Sequence, residues 1–313
     1  MNAEVRRAAD ILRAGGLVAF PTETVYGLGA DASNEAALKK LYAVKQRPPG
    51  HPVIVHFASA DAAFAWAREV PEAARRLAAH FWPGPLTLIL KRAAHVRDFV
   101  TGGQDSVGLR VPSHPVAQAL LREFGGGVAA PSANVFGRVS ATRAVHVTED
   151  FPAGVDFVLE GEVGQVGIES TIVDLSRGRA VLLRPGMITP AMLEQALGAP
   201  VEAADAAAPR ASGTLERHYA PRTPLRLVAP HALDAEIERA GAGVAVLAFS
   251  RPDARAARWL RMPREPAGYA RRLYAALREL DAAGCSRILV EQPPEDAAWT
   301  AVRDRLRRAA SPA

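Results

Sequence analysis

The chain has 313 residues, of which 49% are hydrophobic and 23% are charged, and its formal net charge at pH 7 is +5. That length exceeds the roughly 250 residues at which one hydrophobic core usually stops growing, so two domains are expected. The composition and a mean hydropathy of +0.01 exclude a largely disordered or membrane-embedded chain, and the positive charge permits a polyanionic partner without requiring one.

The first elements alternate between helix and buried strand. Apolar residues recur at helical spacing from Glu4 to Ala14, Gly15 follows as a stop, and the apolar run 17–20 predicts a strand. A second helical pattern covers residues 35–45, and residues 53–55 predict another buried strand. Further strands are predicted at residues 86–90, 107–109, 128–130, 155–159, 171–173 and 181–183. Some gaps between these runs have room for a helix and others only for a turn, which indicates one large mixed sheet.

The composition and apolar periodicity of the sequence change near Pro200. The segment EAADAAAPRASGT lacks apolar periodicity and carries Ala, Pro and Gly, as a linker does. We therefore predict a first domain over residues 1–200, a linker over 201–224 and a second domain over 225–313. In the last of these, strands are predicted at 225–227, 244–249 and 288–291, and helices at 233–240, at 269–283 and in a final segment to about 308. This alternation predicts a small parallel α/β, Rossmann-like domain.

Several common active-site signatures are absent. No G-x-x-x-x-G-K-[ST] loop occurs, and the glycine runs 125–127 and 241–243 precede strands instead of following them. The sequence also lacks H-E-x-x-H, a Cys/His cluster, and a G-x-S-x-G elbow followed by an acid and a histidine, which weakens metalloprotease and α/β-hydrolase assignments. Cys285 is the single cysteine, which excludes disulfides and thiolate clusters and predicts a small buried residue.

Membrane and secretion signals are absent as well. No stretch approaches the roughly 20 apolar residues of a membrane span. The first residues, MNAEVRRAADILRAGG, lack the apolar region and cleavage site of a secretory signal. We therefore expect a cytoplasmic protein without a membrane partner.

Polar side chains cluster at strand ends and in loops of the first predicted domain. The segment PTETVYGLGA places Thr22, Glu23 and Thr24 after the first strand, where ligands often lie, although an ordinary turn accounts for it about as well. Lys45 and Arg47 end a predicted helix, where two cations before a proline stop also interact favourably with the helix dipole. Each segment alone leaves both interpretations open.

Arg110 lies inside an otherwise apolar strand, VGLRV. Because an unpaired buried cation is costly, it needs either a ligand anion or a structural salt bridge, and the sequence favours neither. Ser170 begins a later strand and Arg184 ends another, each again consistent with an ordinary turn. The corner FWPGP at residues 81–85 predicts packing at the start of a strand rather than binding.

The loop APSANVFGRVS follows the predicted strand 128–130. It supplies Ser132, Asn134 and Ser140, whose short hydrogen-bonding side chains suit phosphate or ribose oxygens. Gly137 allows a close approach of the backbone to a ligand.

In chain order, these segments resemble a known family. PTETVYGLGADA, KQRP followed by HPVIVHF, FWPGPLTLIL, VGLRVPSHPVA, APSAN, GIESTIVD, LLRPGMIT and HYAP are similar to motifs of the YrdC-type threonylcarbamoyl-AMP synthases in their longer, two-domain form. The resemblance spans about residues 4–224, and the ordered series is specific although each motif alone is weak. Beyond Pro224 the second domain is assigned from its position and its α/β pattern.

The resemblance implies a twisted, mixed-sheet α/β domain with a deep basic cavity that binds ATP and L-threonine. It implies that the protein uses bicarbonate or CO2, releases pyrophosphate and makes L-threonylcarbamoyl-AMP, the first product on the way to N6-threonylcarbamoyladenosine in tRNA. The tRNA-modifying threonylcarbamoyl transferase machinery would then take up the adenylate. Mg²⁺ is expected to accompany ATP, and no metal site built from protein side chains is expected.

By motif match, the implied site residues divide between the two substrates. L-threonine would be bound by Thr22, His56, Arg110 and Ser170. ATP would be bound by Lys45, Arg47, Ser132, Asn134, Ser140, Arg184, His218 and Tyr219, the last two from a linker that folds back over the cavity. Lys45 and Arg47 would also be the catalytic residues.

The implied chemistry suits these residue types. The threonine amine takes up CO2 to form a carbamate whose oxygen attacks the α-phosphorus of ATP, so the protein mainly positions and neutralises anions. Lys45 would act as a point charge and Arg47 as a bidentate fork. Alanine at either position is expected to remove turnover and preserve the fold, because these cations are expected to lack neighbours for their charge. A linker closed over the site would exclude water, to which a carbamoyl adenylate is sensitive.

Three segments depart from the family pattern. His51 stands where asparagine is frequent, residues 140–142 lack a central proline, and ASGTLERHYAP at 211–221 replaces a frequent S-P-G-M start. The last departure leaves the conformation of the linker open.

Two other functions compete with this assignment. A carbamoyl-transfer enzyme with a different acceptor would use the same cavity, but the acylphosphatase-like and zinc-finger segments that accompany such domains are absent. An RNA-binding protein acting on tRNA or ribosomes fits the basic isoelectric point of about 9.7, but no RNP, KH or basic-aromatic signature occurs. Weak RNA binding is therefore expected at most as an added property.

Overall fold

A computed structural model describes residues 3–311 and divides them into two compact units. Unit 1 comprises the residues up to 136 together with 141–214, and unit 2 comprises residues 137–140 together with those from 215 onward. The division after Thr214 falls inside the segment 201–224 that the sequence indicates as a linker, and no sequence signal assigned residues 137–140 to the second unit. The outermost residues of the two predicted domains, 1–2 and 312–313, lie outside the described residues.

Within the described residues, unit 1 is built on one mixed sheet of ten strands. The strands are β1 Val18–Phe20, β2 Gly27–Asp31, β3 Ile54–His56, β4 Leu86–Lys91, β5 Ser106–Arg110, β6 Val128–Ala129, β7 Phe157–Val158, β8 Thr171–Asp174, β9 Val181–Arg184 and β10 Glu202–Ala203. Their order in the sheet is β10-β9-β8-β4-β5-β3-β6-β2-β1-β7. Parallel pairs such as β3–β5 occur beside antiparallel pairs such as β4–β5, which confirms the predicted mixed sheet.

Helices pack against both faces of this sheet. They are α1 Ala3–Arg13, α2 Glu35–Val44, α3 Ala60–Phe64, α4 Glu72–Phe81, α5 Asp98–Thr101, α6 Pro115–Phe124, α7 Ala144–Asp150 and α8 Pro190–Leu197. Val18 and Phe20 join a core cluster with α1 and α6, whereas Ala19 joins the larger cluster that includes α2 and α4. Because side chains alternate along a strand, β1 is buried on both faces and reads as a continuous apolar run. No helix of the 3–311 range is both long and apolar enough to cross a bilayer.

Strand β2 was not predicted, since its sequence GLGAD resembles a turn. Gly29 is required by a close approach: a Cβ there would lie 2.9 Å from Cε1 of Phe20 and 2.9 Å from Cγ1 of Val128. The strand therefore lacks side chains where the Phe20 ring crosses it, and the usual β-branched signal is absent. As a result, the polar segment 22–26 is a short connection between the paired strands β1 and β2.

Unit 2 contains a sheet of four parallel strands, β11 Leu225–Val228, β12 Val244–Ala248, β13 Arg258–Arg261 and β14 Arg287–Glu291, in the order β11-β14-β12-β13. Its helices are α9 Leu233–Ala240, α10 Pro266–Asp281 and α11 Thr300–Ala310, with short 3₁₀ turns at Pro230–Ala232 and Ala297–Trp299. The predicted parallel α/β arrangement is confirmed. Strand β13 was missed because it is an edge strand with an exposed arginine at each end. Cys285 is half-buried, so the prediction of a buried residue was wrong.

Candidate active site

The segment from Lys45 to Arg47 turns sharply at the end of α2. Lys45 is the C-cap of the helix, and Gln46 has a φ of 53°, a left-handed conformation that a non-glycine residue adopts at a cost. Lys45 and Arg47 are only 1% and 6% exposed. Cations that merely interact with a helix dipole remain solvated, so this burial indicates a further role for both side chains.

Lys45 is held by the backbone of the loop that contains Ser132 and Asn134. Its Nζ donates to the carbonyl oxygens of Ser132, at 2.6 Å, and Asn134, and its own carbonyl accepts from the N–H of Phe136. Within residues 3–311 it forms no ion pair with a carboxylate. Burial, and then the positive charge of Arg47, lower the pKa of Lys45 well below its usual value. The expectation that this cation lacks neighbours was therefore wrong, because two carbonyl oxygens replace its hydration.

A single serine bridges two of the predicted phosphate-binding arginines. Arg47 Nη2 donates to the Ser212 hydroxyl at 3.3 Å and to the Pro52 carbonyl at 2.7 Å. Arg184 Nη1 donates to the Ser212 carbonyl at 2.9 Å, and the Ser212 hydroxyl donates to the Pro52 carbonyl at 3.0 Å. Sequence reasoning noted the unusual segment around Ser212 but gave the residue no role.

The stretch around Ser212 is anchored along unit 1. Ala211 is buried in a small apolar cluster that includes Ile54 and Ile172. Arg210 receives a hydrogen bond from Gln104 at its carbonyl, at 3.1 Å, and donates its N–H to the Gln104 side chain at 2.6 Å. The position of Ser212 between the two arginines is therefore fixed by its neighbours in the chain.

Replacing Ser212 with alanine is expected to lower the KM for ATP about threefold to tenfold while leaving kcat within a factor of about two. The hydroxyl accepts from Arg47, so its removal frees a donor for a phosphate oxygen, and one hydrogen bond contributes about 0.5–1.5 kcal/mol net. Steady-state kinetics with ATP as the varied substrate measure the effect. Alanine at exposed Ser33 is the control, and an increase in KM would contradict competition between Ser212 and the phosphates.

Ser170 links Arg184 to strand β4. Arg184 Nε donates to the Ser170 carbonyl and Nη2 to its hydroxyl, each at 3.0 Å. The same hydroxyl shares a 2.7 Å hydrogen bond with the hydroxyl of Thr87. Ser170, predicted to bind threonine, thus directly contacts Arg184, predicted to bind phosphate. Thr87 lies in the segment FWPGPLTLIL, to which only a packing role was assigned.

Arg110 forms a buried ion pair with Glu23. Its Nη2 lies 2.7 Å from Glu23 Oε1 and 3.0 Å from the hydroxyl of Thr24, while the second oxygen of Glu23 accepts from the N–H of Ser113. The structural salt bridge that the sequence left open is therefore present. The Nε of Arg110 is buried and has no hydrogen-bond partner in the described part of the chain. The Arg110 guanidinium therefore retains a donor for a ligand anion. Thr22 lies in the same turn, where its hydroxyl donates to the Val25 carbonyl at 2.6 Å.

His56 lies beside Arg110, since the two residues pair in the parallel register of β3 and β5. The ring is buried, and it meets Phe20 edge-on with ring centroids 6.5 Å apart. Burial, and then the charge of Arg110, lower the pKa of His56 to about 3. Its Nδ1 has no hydrogen-bond partner among residues 3–311. His56 is therefore a neutral ring above pH 5 and is suited to hydrogen bonding rather than to charge neutralisation.

His56 is expected to make the protein less stable as pH falls from 6.5 toward 3. The folded state holds the ring neutral, with a pKa of about 3 instead of 6.5, so the unfolded chain binds one more proton across this window. The free energy of unfolding should fall by up to about 1.4 kcal/mol per pH unit from this group. Urea denaturation of wild type and His56→Asn at several pH values measures this contribution. The same exchange at exposed His231 is the control, and identical slopes for wild type and His56→Asn would contradict it.

Three predicted ATP-binding residues, Ser140, His218 and Tyr219, belong to unit 2. Ser140 is fully buried, and its carbonyl accepts from Nε of Arg278 at 3.2 Å. Tyr219 has a φ of 61°, and its ring stacks on Tyr274 with centroids 5.8 Å apart. His218 packs edge-on against Tyr219 at 4.2 Å. These three residues are close together within their own unit, and the bridge between residues 138 and 220 joins their two segments.

Unit 1 thus gathers most of the predicted site residues at neighbouring strand ends. The shared feature is four cationic side chains that are at most 6% exposed, namely Lys45, Arg47, Arg110 and Arg184. Ser212 forms hydrogen bonds with both Arg47 and Arg184, and Ser170 forms a hydrogen bond with Arg184. Because several cations are held within one unit, such a group is suited to bind a polyanion together with a smaller anionic ligand.

Comparisons with known proteins agree with this arrangement. The family model described as "Telomere recombination" matches residues 10–186, and the model described as "Threonylcarbamoyl-AMP synthase, C-terminal domain" matches residues 188–311. A threonylcarbamoyl-AMP synthase of Pyrococcus abyssi is 39% identical, covering 98% of this chain and 94% of the relative. A threonylcarbamoyl-AMP synthase of Bacillus subtilis is 37% identical, covering 98% and 93%.

The fold agrees as well. The crystal structure of P. abyssi Sua5 complexed with L-threonine superposes with a TM-score of 0.90 at 38% identity, covering 98% of this chain and 94% of that one. Similarity of this extent covers both units and the whole series of motifs. The chain belongs to the threonylcarbamoyl-AMP synthase family.

Proposed function

We propose that the protein joins L-threonine, bicarbonate or CO2, and ATP to give L-threonylcarbamoyl-AMP and pyrophosphate. The observation that carries this proposal is the set of four buried cations that unit 1 gathers, Lys45, Arg47, Arg110 and Arg184, each at most 6% exposed. A triphosphate and an amino-acid carboxylate together supply the anions that such a set can bind.

Arg110 is suited to bind the carboxylate of threonine. Its free Nε lies on a guanidinium whose Nη2 is already fixed by Glu23 and Thr24. A guanidinium held by other hydrogen bonds loses little conformational entropy on binding, which favours a defined orientation of the ligand. Thr22 and neutral His56 border this position and provide hydrogen-bonding groups without adding charge.

Lys45, Arg47 and Arg184 are suited to bind the phosphates. The threonine amine adds to CO2 and loses its proton, and an oxygen of the resulting carbamate attacks the α-phosphorus. The bond between that phosphorus and the oxygen bridging to the β-phosphate breaks, and pyrophosphate leaves. The cations stabilise the charge that develops on the phosphate oxygens in this step.

Mg²⁺ is proposed to enter with ATP. Residues 3–311 contain no group of three or more His, Cys, Asp and Glu side chains arranged to hold a metal. Mg²⁺ commonly keeps several waters and binds through substrate phosphates with few protein ligands, so this donor set fits an ion carried by the nucleotide. When bound, it would neutralise phosphate charge alongside Lys45 and Arg47.

The product is proposed to serve the threonylcarbamoyl transferase machinery that forms N6-threonylcarbamoyladenosine in tRNA. The carbamoyl adenylate is an activated acyl donor and hydrolyses in water, so direct transfer to an acceptor follows from its chemistry. A cytoplasmic location, where ATP, threonine and tRNA are available, is part of the same proposal. Weak RNA binding remains a prediction from the basic composition.

The test is incubation of the purified protein with ATP, L-threonine, bicarbonate and Mg²⁺. We expect pyrophosphate release and, by mass spectrometry, an adenylate whose mass includes threonine and one carboxyl group. Omission of any single substrate should abolish the adenylate. Pyrophosphate release that is independent of threonine would contradict this function and favour a carbamoyl-transfer enzyme with another acceptor.

A further inference from the structure

The sheet of unit 2 has a topological switch point of its own. From β12 the chain continues to its neighbour β13 at one edge, whereas from β14 it continues to α11, which packs beside β11 at the other edge. The connections therefore diverge between the adjacent strands β12 and β14. In open parallel sheets, ligands bind outside the carboxyl ends of the strands at such a switch point. No residue at this edge has a role in the function proposed above.

Phe249, which follows β12, is the centre of a compact group at this edge. Its N–H donates to Oε2 of Glu291, the last residue of β14, at 2.7 Å. Its ring lies 5.5 Å from that of Tyr269 and 5.6 Å from that of Trp299, centroid to centroid. The guanidinium carbon of Arg264 lies 5.8 Å from the same ring. An acid at the backbone N–H, and a phenol ring and a cation at the aromatic ring, thus surround Phe249, one residue beyond the end of β12.

Two of these groups have unused hydrogen-bonding capacity. The Tyr269 hydroxyl is buried, with the residue 1% exposed, and it has no hydrogen-bond partner in the described chain. Burial, and then the Glu291 carboxylate, raise the pKa of Tyr269, so the phenol keeps its proton as a donor. Oε1 of Glu291 accepts no hydrogen bond from residues 3–311. Buried polar groups are nearly always paired, so an unpaired donor near a carboxylate with a spare acceptor has the capacity to bind a group that both accepts and donates.

Arg264 supplies the positive charge of the group. Within the described residues it forms no ion pair, and its guanidinium lies over the Phe249 ring. It precedes α10, whose N-cap residue Glu265 makes no side-chain capping hydrogen bond. The Arg264 guanidinium is therefore close in sequence to the first N–H groups of this 16-residue helix, and both favour an anion.

We propose that this strand-end edge of the unit 2 sheet binds a ribonucleotide. The ribose hydroxyls donate to the Glu291 carboxylate and accept from the Tyr269 phenol, and the phosphate lies near Arg264 and the first turn of α10. A carboxylate at a strand end that binds ribose, beside a helix N-terminus that binds phosphate, is the general arrangement of nucleotide sites in parallel α/β sheets. The proposal concerns residues of unit 2 alone and does not depend on turnover in unit 1.

The test is photolabelling of the full-length protein with 8-azidoadenosine 5′-monophosphate, followed by peptide mapping. We expect labelled peptides from residues 249–264 or 292–299. Glu291→Gln keeps the acceptor for Phe249 but removes the charge, and it should weaken labelling at least tenfold. Arg264→Ala should do the same, whereas Arg271→Ala, an exposed arginine on α10, is the control and should label like the wild type. The dideoxy analogue of AMP, which lacks both ribose hydroxyls, should compete at least tenfold less well than AMP.

Tyr269→Phe separates a ligand site from a packing defect. The exchange removes only the hydroxyl, so the fold is retained, and labelling of the unit 2 peptides should weaken about threefold to tenfold. Labelling confined to unit 1, or labelling of unit 2 that Glu291→Gln, Arg264→Ala and Tyr269→Phe leave unchanged, would overturn the proposal. A rise in melting temperature in Tyr269→Phe with unaltered labelling would identify the hydroxyl as a simple packing cost and would also overturn it.

Discussion

Replacing Glu23 with glutamine is expected to destabilise the protein by about 3–5 kcal/mol and to abolish its use of threonine. Glu23 is the buried counter-charge of Arg110, and both side chains are at most 8% exposed. Removal of one partner of a buried pair leaves the other charge without compensation in a medium of low dielectric constant. Both oxygens of Glu23 accept hydrogen bonds in the wild type, from Arg110 and from the N–H of Ser113. The NH2 group of a glutamine would face one of these two donors, so one of the hydrogen bonds would be lost.

A double variant separates the structural role of this pair from its role in binding. Glu23→Gln combined with Arg110→Met removes both charges, so most of the lost stability should return. Threonine-dependent pyrophosphate release should stay absent, because the guanidinium that binds the carboxylate has been removed. Chemical denaturation and the synthase assay measure the two effects independently.

The control for this prediction is the exposed pair Arg68–Asp105, with side chains 50% and 70% exposed. Asp105→Asn should cost less than about 1 kcal/mol, because an exposed pair is screened by water and salt. Wild-type stability in Glu23→Gln, or threonine use in the double variant, would contradict the role assigned to Arg110.

Replacing Lys45 with methionine is expected to lower turnover by about 100-fold to 1,000-fold, the usual effect of removing one preorganised electrostatic contact from a reacting centre. Methionine keeps most of the buried volume but donates no hydrogen bond. The carbonyl oxygens of Ser132 and Asn134 then lose a donor each, and a buried unsatisfied group costs about 1–3 kcal/mol. A measurable loss of stability should therefore accompany the loss of turnover.

Lys39→Met is the matched control, since this exposed lysine lies on the same helix and forms an exposed ion pair with Glu35, four residues before it. It should leave both turnover and stability near those of the wild type. Single-turnover assays at saturating ATP distinguish a defect in the chemical step from one in binding. Turnover by Lys45→Met at the wild-type rate would remove the phosphate assignment of Lys45.

Much of the fold follows from local pattern. The sequence predicted the helices α1 and α2, the strands β4, β5, β8 and β9, and the strand-helix alternation of unit 2. Each of these features depends on residues that are close together in the sequence. β2 was missed because Gly29 leaves room for the ring of Phe20, a residue of another strand. β13 was missed because an exposed edge strand lacks an apolar run.

The candidate site divides in the same way. Residue type and motif order indicated Lys45, Arg47, Arg110 and Arg184 as the cations, because the family resemblance is carried by the sequence itself. Their partners were not indicated. Glu23 is 87 positions from Arg110, and Ser212 is 165 positions from Arg47. No local pattern connects residues so far apart.

By itself, then, the sequence determined the class of fold, the family and the identity of the buried cations. All three follow from short sequence motifs and from the order of these motifs along the chain. Only the tertiary structure decided which groups compensate those cations: a carboxylate for Arg110, two carbonyl oxygens for Lys45, and one serine shared by Arg47 and Arg184. The reason is physical, because the cost of burying a charge depends on every group that the fold brings within a few ångströms of it, whatever their separation along the chain.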